Sequence, residues 1–512
     1  MKSYILLILS LPILFSFAML NCSPPKSDET KLREFITNHL KVVEPKLKAL
    51  NIADWNANAT GEKKFYDERA ALELEVNTIR SNKDDFTFLK DLKAKGTIKD
   101  TLLARQLIVL FNQFARNQID TSLMRQMIEK QAEIANKFNN FRGKINGKEV
   151  SDNEISEILK SERNSKKRQE AWEASKQVGK EVATLIIELV KLRNQAAKQL
   201  GYENYYVMAL ATDEQDVSEV VSIFDNLKQL TDEPFKQIKQ ELDASIAKRF
   251  GIKPQDIQPW HYANPFFQEV SEYGEINLDK YFKGKNIEEI SRTFYNGINL
   301  PVDDILTNSD LYPRKGKYQH AFCNDIDRLG DVRIMCNLSD DLYWTNTILH
   351  ELGHATYTKN IQKDLPFLLR IEAHTFLTEA IAILMGRQAN NVDWMQAIVG
   401  INEKEKQALG KALFENLRLS EIAFSRWSQV MMRFEKAMYI NPDQDLNKLW
   451  WDIVEENQFV KRPENRNESD WAAKIHLAQY PCYYHNYMLG GLASSQILNA
   501  LVRQVMKQDA VS

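Results

Sequence analysis

The feature that most restricts the fold of this chain is a stretch without proline from residue 46 to residue 233. Proline removes a backbone donor and breaks helices, so its absence over such a span permits long uninterrupted helices. Apolar residues recur there at helical spacing, as in KKFYDERAALELEVNTIR and TLLARQLIVLFNQFARN. We therefore predict that this part of the chain is a helical scaffold whose apolar faces form a core.

Glycine and proline are sparse in the whole chain, at 18 and 14 of 512 residues, which argues against a fold with many β-turns. Within the proline-free stretch, Ser151-Asp152-Asn153-Glu154 is a capping box that predicts the start of a long helical run. This run reaches LRNQAAKQL, and Gly201 suits the position after a helix C-terminus. We expect a mostly α protein, long enough for one large core or two lobes.

The strongest chemical signal is His350-Glu351-Leu352-Gly353-His354. On a helix, residues four apart share a face, so the two histidines can direct their imidazoles at one cation. Glu351 can reach a water beside that cation and act as a general base. The motif therefore predicts a zinc site of the metallopeptidase type.

A third ligand is expected on the following segment, LLRIEAHTFLTEAIAILMGR, which offers Glu372, His374 and Glu379. The segment is strongly apolar, so it is expected to form a buried helix, where a carboxylate is costly unless paired or metal-bound. Glu379 adjoins the apolar run AIAILMG and is the best candidate. Glu372 is an alternative as a supporting partner, and His374 is a weaker rival ligand.

Two short strands are predicted in YQHAFCNDIDRLGDVRIMCNLS, with a turn at Leu329-Gly330. They lead into the helix that carries the histidines, with Ser339 or Asp340 as its N-cap. A strand beside such a helix is a suitable place for an extended peptide to pair.

Residues 1–21 have the pattern of a secretion signal, with Lys2 followed by an apolar run. Cys22 follows this run directly, as in a bacterial lipoprotein, where that cysteine carries the lipid. We expect an exported protein held to a membrane and facing the periplasm or the cell exterior. A plain secreted form or an uncleaved anchor is the alternative. In that oxidising compartment Cys323 and Cys336 are the plausible disulfide pair.

The formal net charge is −3, and no basic or acidic block occurs, so nothing in the chain suggests nucleic acid as a partner.

Several further segments, taken in order, resemble one family. They are His320-Ala321 ahead of DVRIMC, KDLPFLLR and Glu379-Ala380-Ile381 after the histidine motif, WWDIVEENQFVKRP, and Ala473-Lys474-Ile475-His476. Over most of its mature length the chain resembles the angiotensin-converting enzyme family of peptidyl-dipeptidases. The resemblance implies a mostly α, two-lobed zinc peptidase with a deep central cleft and a small β hairpin beside the zinc helix. It also implies one catalytic domain over residues 22–512, with a helical scaffold at about 28–300 and a zinc and catalytic part at about 315–512.

The resemblance also implies roles for individual residues. One zinc ion per chain would be bound by His350, His354 and Glu379, with Glu351 as general base. His476 and Tyr487 would stabilise the oxyanion that forms during hydrolysis. The substrate-binding residues would be His320 and Ala321 along an extended oligopeptide, and Gln268, Lys474 and Tyr484 around its C-terminal carboxylate. Such a clasp, two residues beyond the zinc, would make the enzyme release dipeptides.

The chain departs from the family pattern at three places. The family's acidic residue four positions after the glutamate ligand is Ile383 here, so the partner of one zinc histidine is open. The family's chloride-binding arginine is replaced by Asn486, which predicts a weak dependence on chloride. The tyrosine cluster is one residue further along, so Tyr484 and Tyr487 could exchange roles with Tyr483.

Two other functions are compatible with these residues. A thimet-type oligoendopeptidase, which cuts peptides internally, has a similar tyrosine-rich segment to PCYYHNYMLGG but has no use for a lysine clasp. A surface lipoprotein could retain the same fold without turnover.

Overall fold

A computed structural model of the protein describes residues 26–270 and 277–507. The predicted secretion signal and Cys22 lie outside the described residues. The described residues fold into helices joined by short connections, with four short strands. The helices are α1 (Asp28–Thr60), α2 (Lys63–Arg80), α3 (Lys83–Lys95), α4 (Thr101–Ala115), α5 (Thr121–Asn140), α6 (Asp152–Ser161), α7 (Ser165–Lys176), α8 (Val178–Gln199), α9 (Tyr205–Thr212), α10 (Val217–Phe250), α11 (Ile287–Gly297), α12 (Asp303–Asn308), α13 (Leu342–Lys359), α14 (Thr375–Gly386), α15 (Val392–Trp394), α16 (Glu403–Ile440), α17 (Leu446–Gln458), α18 (His476–Gln479) and α19 (His485–Ala500).

The predicted mostly α fold is confirmed. The strands are β1 (Gly143–Ile145), β2 (Lys148–Val150), β3 (Phe322–Asp325) and β4 (Val332–Met335), and they form two antiparallel pairs, β1–β2 and β3–β4. In the described part of the chain, no helix is both long enough and apolar enough to cross a membrane.

The prolines that bound the proline-free stretch do not end helices. Pro45 lies inside α1 and Pro234 lies inside α10. The capping box at Ser151 is present and begins α6. The single long run predicted after it was wrong, because Glu162 leaves the helical conformation and Asn164 caps a new helix through its side chain. The run therefore divides into α6, α7 and α8, and Gly201 follows α8 with φ +84.

The described residues contain two large buried apolar cores. The larger core includes Trp172, Phe224 and Trp427, from α7, α10 and α16. The smaller core surrounds α13 and includes Ile334 and Leu352. A cavity of about 460 Å³ is lined by residues of β3 and α13, next to the smaller core, and by His476, Tyr480, Tyr483 and Tyr487, which come from the segment next to the larger core. The catalytic motif thus lies where the two cores meet.

The hairpin β3–β4 pairs Cys323 with Ile334, two residues before Cys336. A diagonal pair across antiparallel strands is separated by about 7–8 Å, which is beyond the usual reach of a disulfide. Both cysteines are free, so the predicted disulfide was wrong. Burial raises the pKa of both thiols well above the usual value.

The helix α13 begins after Asp341, whose side chain accepts the backbone N–H of Trp344 at 2.7 Å. The predicted N-cap, Ser339 or Asp340, was therefore one or two residues early. Asp340 instead accepts the Lys283 ammonium at 2.8 Å.

Two glycines allow α13, α14 and α19 to pack closely. A Cβ at Gly353 of α13 would lie 2.7 Å from the Cα of Ala382 on α14. A Cβ at Gly490 of α19 would lie 2.6 Å from the Cβ of Glu379, also on α14. These distances are shorter than van der Waals contact, so only glycine fits. The helix α14 is therefore held between its neighbours at the level of the catalytic motif.

Candidate active site

Three side chains converge at the base of the 460 Å³ cavity, hereafter the catalytic cavity. The Nε2 atoms of His350 and His354 are 3.2 Å apart, and the Glu379 Oε2 lies 3.6 and 3.7 Å from them. The two histidines share one face of α13, as their spacing requires. The carboxylate comes from α14, which is packed directly against that face.

The arrangement fits a zinc ion. Four ligands at about 2.1 Å around a tetrahedral zinc are about 3.4 Å from one another, close to the spacings here. The Glu379 Oε2 is buried and has no hydrogen-bond partner in the described part of the chain, although buried acceptors are normally bonded. A cation bound at this point would satisfy this oxygen and both imidazoles.

Burial governs the protonation of the cluster. It lowers the pKa of His350 to about 4 and raises that of Glu379 to about 7. It also lowers the pKa of His354, with the His350 charge adding to the effect. The histidines are therefore neutral at physiological pH, the form that binds metals.

The other two sequence candidates for the third ligand lie elsewhere. His374 is the N-cap of α14, and its Nε2 is 2.9 Å from the backbone oxygen of Asp213. Glu372 lines the catalytic cavity but accepts the Thr358 hydroxyl at 2.6 Å. Neither joins the cluster formed by His350, His354 and Glu379.

A hydroxyl group that the sequence analysis did not identify supports one histidine. The Nδ1 of His354 is 2.7 Å from the Oγ1 of Thr378, the residue that precedes Glu379 on α14. Such a contact leaves Nε2 free for a metal and fixes the orientation of the ring. Ile383, at the position of the family's acidic residue, has no polar group. In this chain Thr378 of the same helix supports a zinc-ligand histidine instead. The only sign of this role in the sequence was the position of Thr378 directly before the proposed ligand Glu379.

Glu351 is buried and lines the catalytic cavity. Burial raises the pKa of its carboxyl, and the nearby Glu379 raises it further. Behind it, the Tyr295 hydroxyl donates to the backbone oxygen of Leu349 at 2.6 Å, which ties α11 to α13. The carboxyl thus projects from a fixed helix into the space in front of the three-residue cluster.

His476 and Tyr487 also line the catalytic cavity. The Tyr487 hydroxyl is 3.4 Å from the His476 Nε2. Burial lowers the pKa of His476 well below its usual value, with the Lys474 charge adding to the effect. A neutral imidazole and a phenol at this distance can both donate hydrogen bonds to one oxygen atom between them.

The three tyrosines of the cluster have different environments. The Tyr483 hydroxyl donates a short hydrogen bond to Glu379 Oε1. The Tyr484 hydroxyl accepts the indole N–H of Trp427 at 2.6 Å, away from the cavity. Only Tyr487 is bonded to His476 among these three. The geometry therefore favours Tyr487 as the partner of His476.

Gln268, Lys474 and Tyr484 are brought together in the larger core. The Lys474 ammonium donates to Gln268 Oε1 at 2.7 Å and lies 5.5 Å from the centre of the Tyr484 ring. Burial lowers the pKa of Lys474 to about 8. No carboxylate lies within 4 Å of it in residues 26–270 and 277–507, and the more distant charge of Glu269 only partly offsets the effect of burial on its pKa. These three side chains are not among the described residues that line the catalytic cavity.

His320 and Ala321 precede β3 and line the cavity together with it. On its other edge β3 pairs with β4, so within the described residues the edge towards the cavity has no strand partner. An extended peptide can form backbone hydrogen bonds with such an edge. The sequence prediction of a strand beside the zinc helix is confirmed, while pairing with a peptide stays a prediction.

Two family models match the chain. The model described as angiotensin-converting enzyme matches residues 272–512, which include every member of the three-residue cluster, Glu351, His476 and Tyr487. The model described as peptidase family M3 matches residues 158–304, within the helical scaffold. Both families consist of zinc metallopeptidases. Together the two matches extend from residue 158 to residue 512.

Proposed function

The chain belongs to the angiotensin-converting-enzyme-like zinc metallopeptidases, which hydrolyse peptide bonds, and on this premise we propose that it releases dipeptides from the C-termini of oligopeptides. The observation that carries the proposal is Lys474, a buried ammonium that forms no ion pair within 4 Å with a described residue, although the charge of Glu269 acts on it from further away. An unpaired buried charge is costly, so a substrate carboxylate is its natural counterion.

In this proposal His350, His354 and Glu379 hold one zinc ion, and the spacing of their ligand atoms supports that assignment. The bound ion supplies a Lewis acid that polarises the scissile carbonyl and lowers the pKa of water. Glu351 takes the proton from the attacking water and transfers it to the leaving amine. His476 and Tyr487 donate hydrogen bonds to the oxyanion. These hydrogen bonds become stronger as negative charge develops on the oxygen, so they stabilise the transition state more than the substrate.

Substrate position follows from groups on both sides of this centre. The main chain of the peptide lies along β3, beside His320 and Ala321. Its C-terminal carboxylate is held by Lys474, with Gln268 and Tyr484 as further donors. Because Lys474 already contacts Gln268, the carboxylate would replace that contact or share the ammonium.

The runner-up is an oligoendopeptidase that cuts internally. Two observations favour it: the match to peptidase family M3, and the position of the clasp residues outside the lining of the catalytic cavity. A non-catalytic role has no comparable support, because the acid, the oxyanion donors and the three-residue cluster meet in one cavity.

One digest separates the two peptidase functions. An oligopeptide is prepared with a free C-terminal carboxylate and with a C-terminal amide, and the products are identified by mass spectrometry. Stepwise release of dipeptides, slower for the amide by about thirtyfold or more, is expected if Lys474 holds the carboxylate. Equal rates for both forms, or cleavage at sites unrelated to the C-terminus, would identify the oligoendopeptidase.

We also propose that the enzyme acts outside the cytoplasm as a lipoprotein attached through Cys22. The support is the apolar run at residues 4–20 that ends next to this cysteine. Metabolic labelling with a fatty acid tests it, because Cys22→Ser should remove the label and release the protein from the membrane fraction.

A further inference from the structure

A second cavity, of about 340 Å³, adjoins the catalytic cavity. The two share Asn51, Asp54, Tyr318 and Tyr480 as lining residues. The second cavity continues from this shared wall along α2, with α1 and α5 beside it. A peptide bound in the catalytic cavity can therefore continue into it. We refer to it as the distal cavity.

The distal cavity offers hydrogen-bond acceptors. The side-chain amide nitrogens of Asn51, Asn58 and Gln479 donate to backbone oxygens of the protein. Their amide oxygens accept no hydrogen bond from any described residue and are not sealed from solvent. Such oxygens are available to the N–H groups of a bound peptide.

The charged groups of the distal cavity form ion pairs except at one end. Arg69 is 2.9 Å from Asp54 and 3.9 Å from Glu73, so it pairs with both carboxylates and these three groups carry one net negative charge. Arg80, at the C-terminal end of α2, has no side-chain hydrogen bond or ion pair with any described residue, and its Nε is buried. A guanidinium in this situation lacks the acceptors that it normally has.

The groups around Arg80 do not neutralise it. Arg116 is engaged with Asp213 and Thr212, and Arg328 lies 4.9 Å from the centre of the Phe367 ring. Burial, together with the charges of Arg328 and Arg116, lowers the pKa of Arg80 to about 10. Even so, Arg80 is cationic at neutral pH, so this end of the distal cavity is positive.

The position of Arg80 determines which residues of a bound peptide can reach it. Arg69 and Arg80 are separated by 11 residues of α2, which corresponds to about 16 Å. An extended peptide covers this distance with about five residues. In the proposed function only two residues follow the scissile bond, and their clasp does not line the distal cavity. The segment in the distal cavity is then the one before the scissile bond.

We propose that the distal cavity binds the part of the substrate upstream of the scissile bond, and that Arg80 there pairs with the carboxylate of an acidic side chain. Because Arg69 itself lies outside the lining of the catalytic cavity, the enzyme would prefer oligopeptides that carry Asp or Glu five or more residues before the cleaved bond. The proposed function supplies the direction of the peptide. The distal cavity and the unpaired arginine are independent of it.

The test is a peptide series with a constant C-terminal half, in which one Glu is moved through the upstream positions and compared with Gln at the same position. With the wild-type enzyme, Glu at one position, the fifth or further upstream, should raise kcat/KM about tenfold over Gln. In Arg80→Gln this ratio should fall to about one, and Arg80→Glu should instead favour a peptide with Lys there.

The control is Arg125→Gln, which removes one exposed positive charge from α5 outside both cavities and should keep the tenfold ratio. If the wild-type enzyme cleaves the Glu and Gln peptides with equal kcat/KM at every position, the proposal is overturned, even if no Arg80 variant folds. An unchanged ratio in a folded Arg80→Gln enzyme would also overturn it. Mass spectrometry of the same digests separates the two proposals. Dipeptide release without a Glu effect refutes only the distal subsite, and internal cleavage with an Arg80-dependent Glu effect refutes only the dipeptidase.

Discussion

At the scale of single residues, the site depends on which atom each polar side chain uses for its neighbours. Thr378 contacts the Nδ1 of His354, and Tyr483 contacts Glu379 Oε1. Both contacts leave the His354 Nε2 and the Glu379 Oε2 available to a metal ion. Sequence spacing identified the two histidines and Glu379, but it could not identify Thr378 or distinguish Tyr483 from Tyr484. Those assignments depend on the rotation of α14 and α19 about their axes, which no local pattern encodes.

Thr378→Val should weaken zinc binding. The isosteric change removes the acceptor for His354 Nδ1–H, so the ring loses its fixed orientation, and an increase of about 10- to 100-fold in the zinc Kd is expected. Competition with a chromophoric chelator measures the Kd without relying on activity. Thr378→Ser should restore most of the affinity. Thr347→Val, which alters an exposed threonine on α13, is the matched control. An unchanged Kd in Thr378→Val would mean that the contact is incidental.

The pKa of Lys474 predicts that the preference for free-acid peptides over amides depends on pH. Its ammonium is charged below its pKa of about 8 and neutral above it. The advantage of a free-acid peptide over its amide in kcat/KM should therefore be complete below pH 7 and decline as the pH rises through about 8. Other titrating groups act equally on both peptides and cancel in the ratio. A ratio that stays constant across this range would show that Lys474 does not hold the carboxylate.

At the scale of elements, the helix triplet α13, α14 and α19 determines the site. The ligand-bearing α14 is fixed by backbone contact at Gly353 and Gly490. The sequence correctly predicted α13, α14 and the hairpin, because each has a clear apolar pattern or turn. It misplaced the start of α13, since Ser339, Asp340 and Asp341 are all good N-caps and only the tertiary contact of Asp340 with Lys283 decides among them. It missed the break before α7 because a local cap at Asn164 interrupts an otherwise continuous helical pattern.

Gly490→Ala should displace Glu379. The added methyl group would lie 2.6 Å from the Glu379 Cβ, so α14 or α19 must move. Overpacking of this kind costs about 1–3 kcal/mol of stability, and the shift should also weaken zinc binding. Thermal unfolding and the chelator titration measure the two effects. Gly410→Ala on α16 is the control, because its nearest neighbour would be 3.9 Å away and the change should be neutral or stabilising. Identical behaviour of the two variants would refute the close contact.

At the scale of the whole molecule, buried neutral histidines limit stability in acid. Burial lowers the pKa of both His39 and His261 to about 4, below the unfolded value of 6.5. Each therefore contributes stability that is complete above pH 6.5 and is lost as the pH falls through about 4. The two shifts correspond to about 3 kcal/mol each.

His39→Phe isolates one of these contributions. Phe retains the ring contacts with Phe35 and Phe114 and removes the His39 Nε2, which is buried without a partner among the described residues. The variant should lose less stability than the wild type between pH 7 and pH 4.5, by about 2 kcal/mol in urea titrations of the zinc-free protein. Equal losses in the two proteins would assign the acid sensitivity to other groups.

The contact between Gly490 and Glu379 also has a consequence for the order in which the protein is made. The ribosome completes α13 and α14, with all three proposed ligands, well before it reaches α19. Until α19 docks, α14 is supported only by α13 and lacks the contact of Gly490 with Glu379, and Tyr487, which α19 itself carries, is absent. The growing chain is therefore inactive as a protease, and activity arises only after the late helix has packed against the earlier ones.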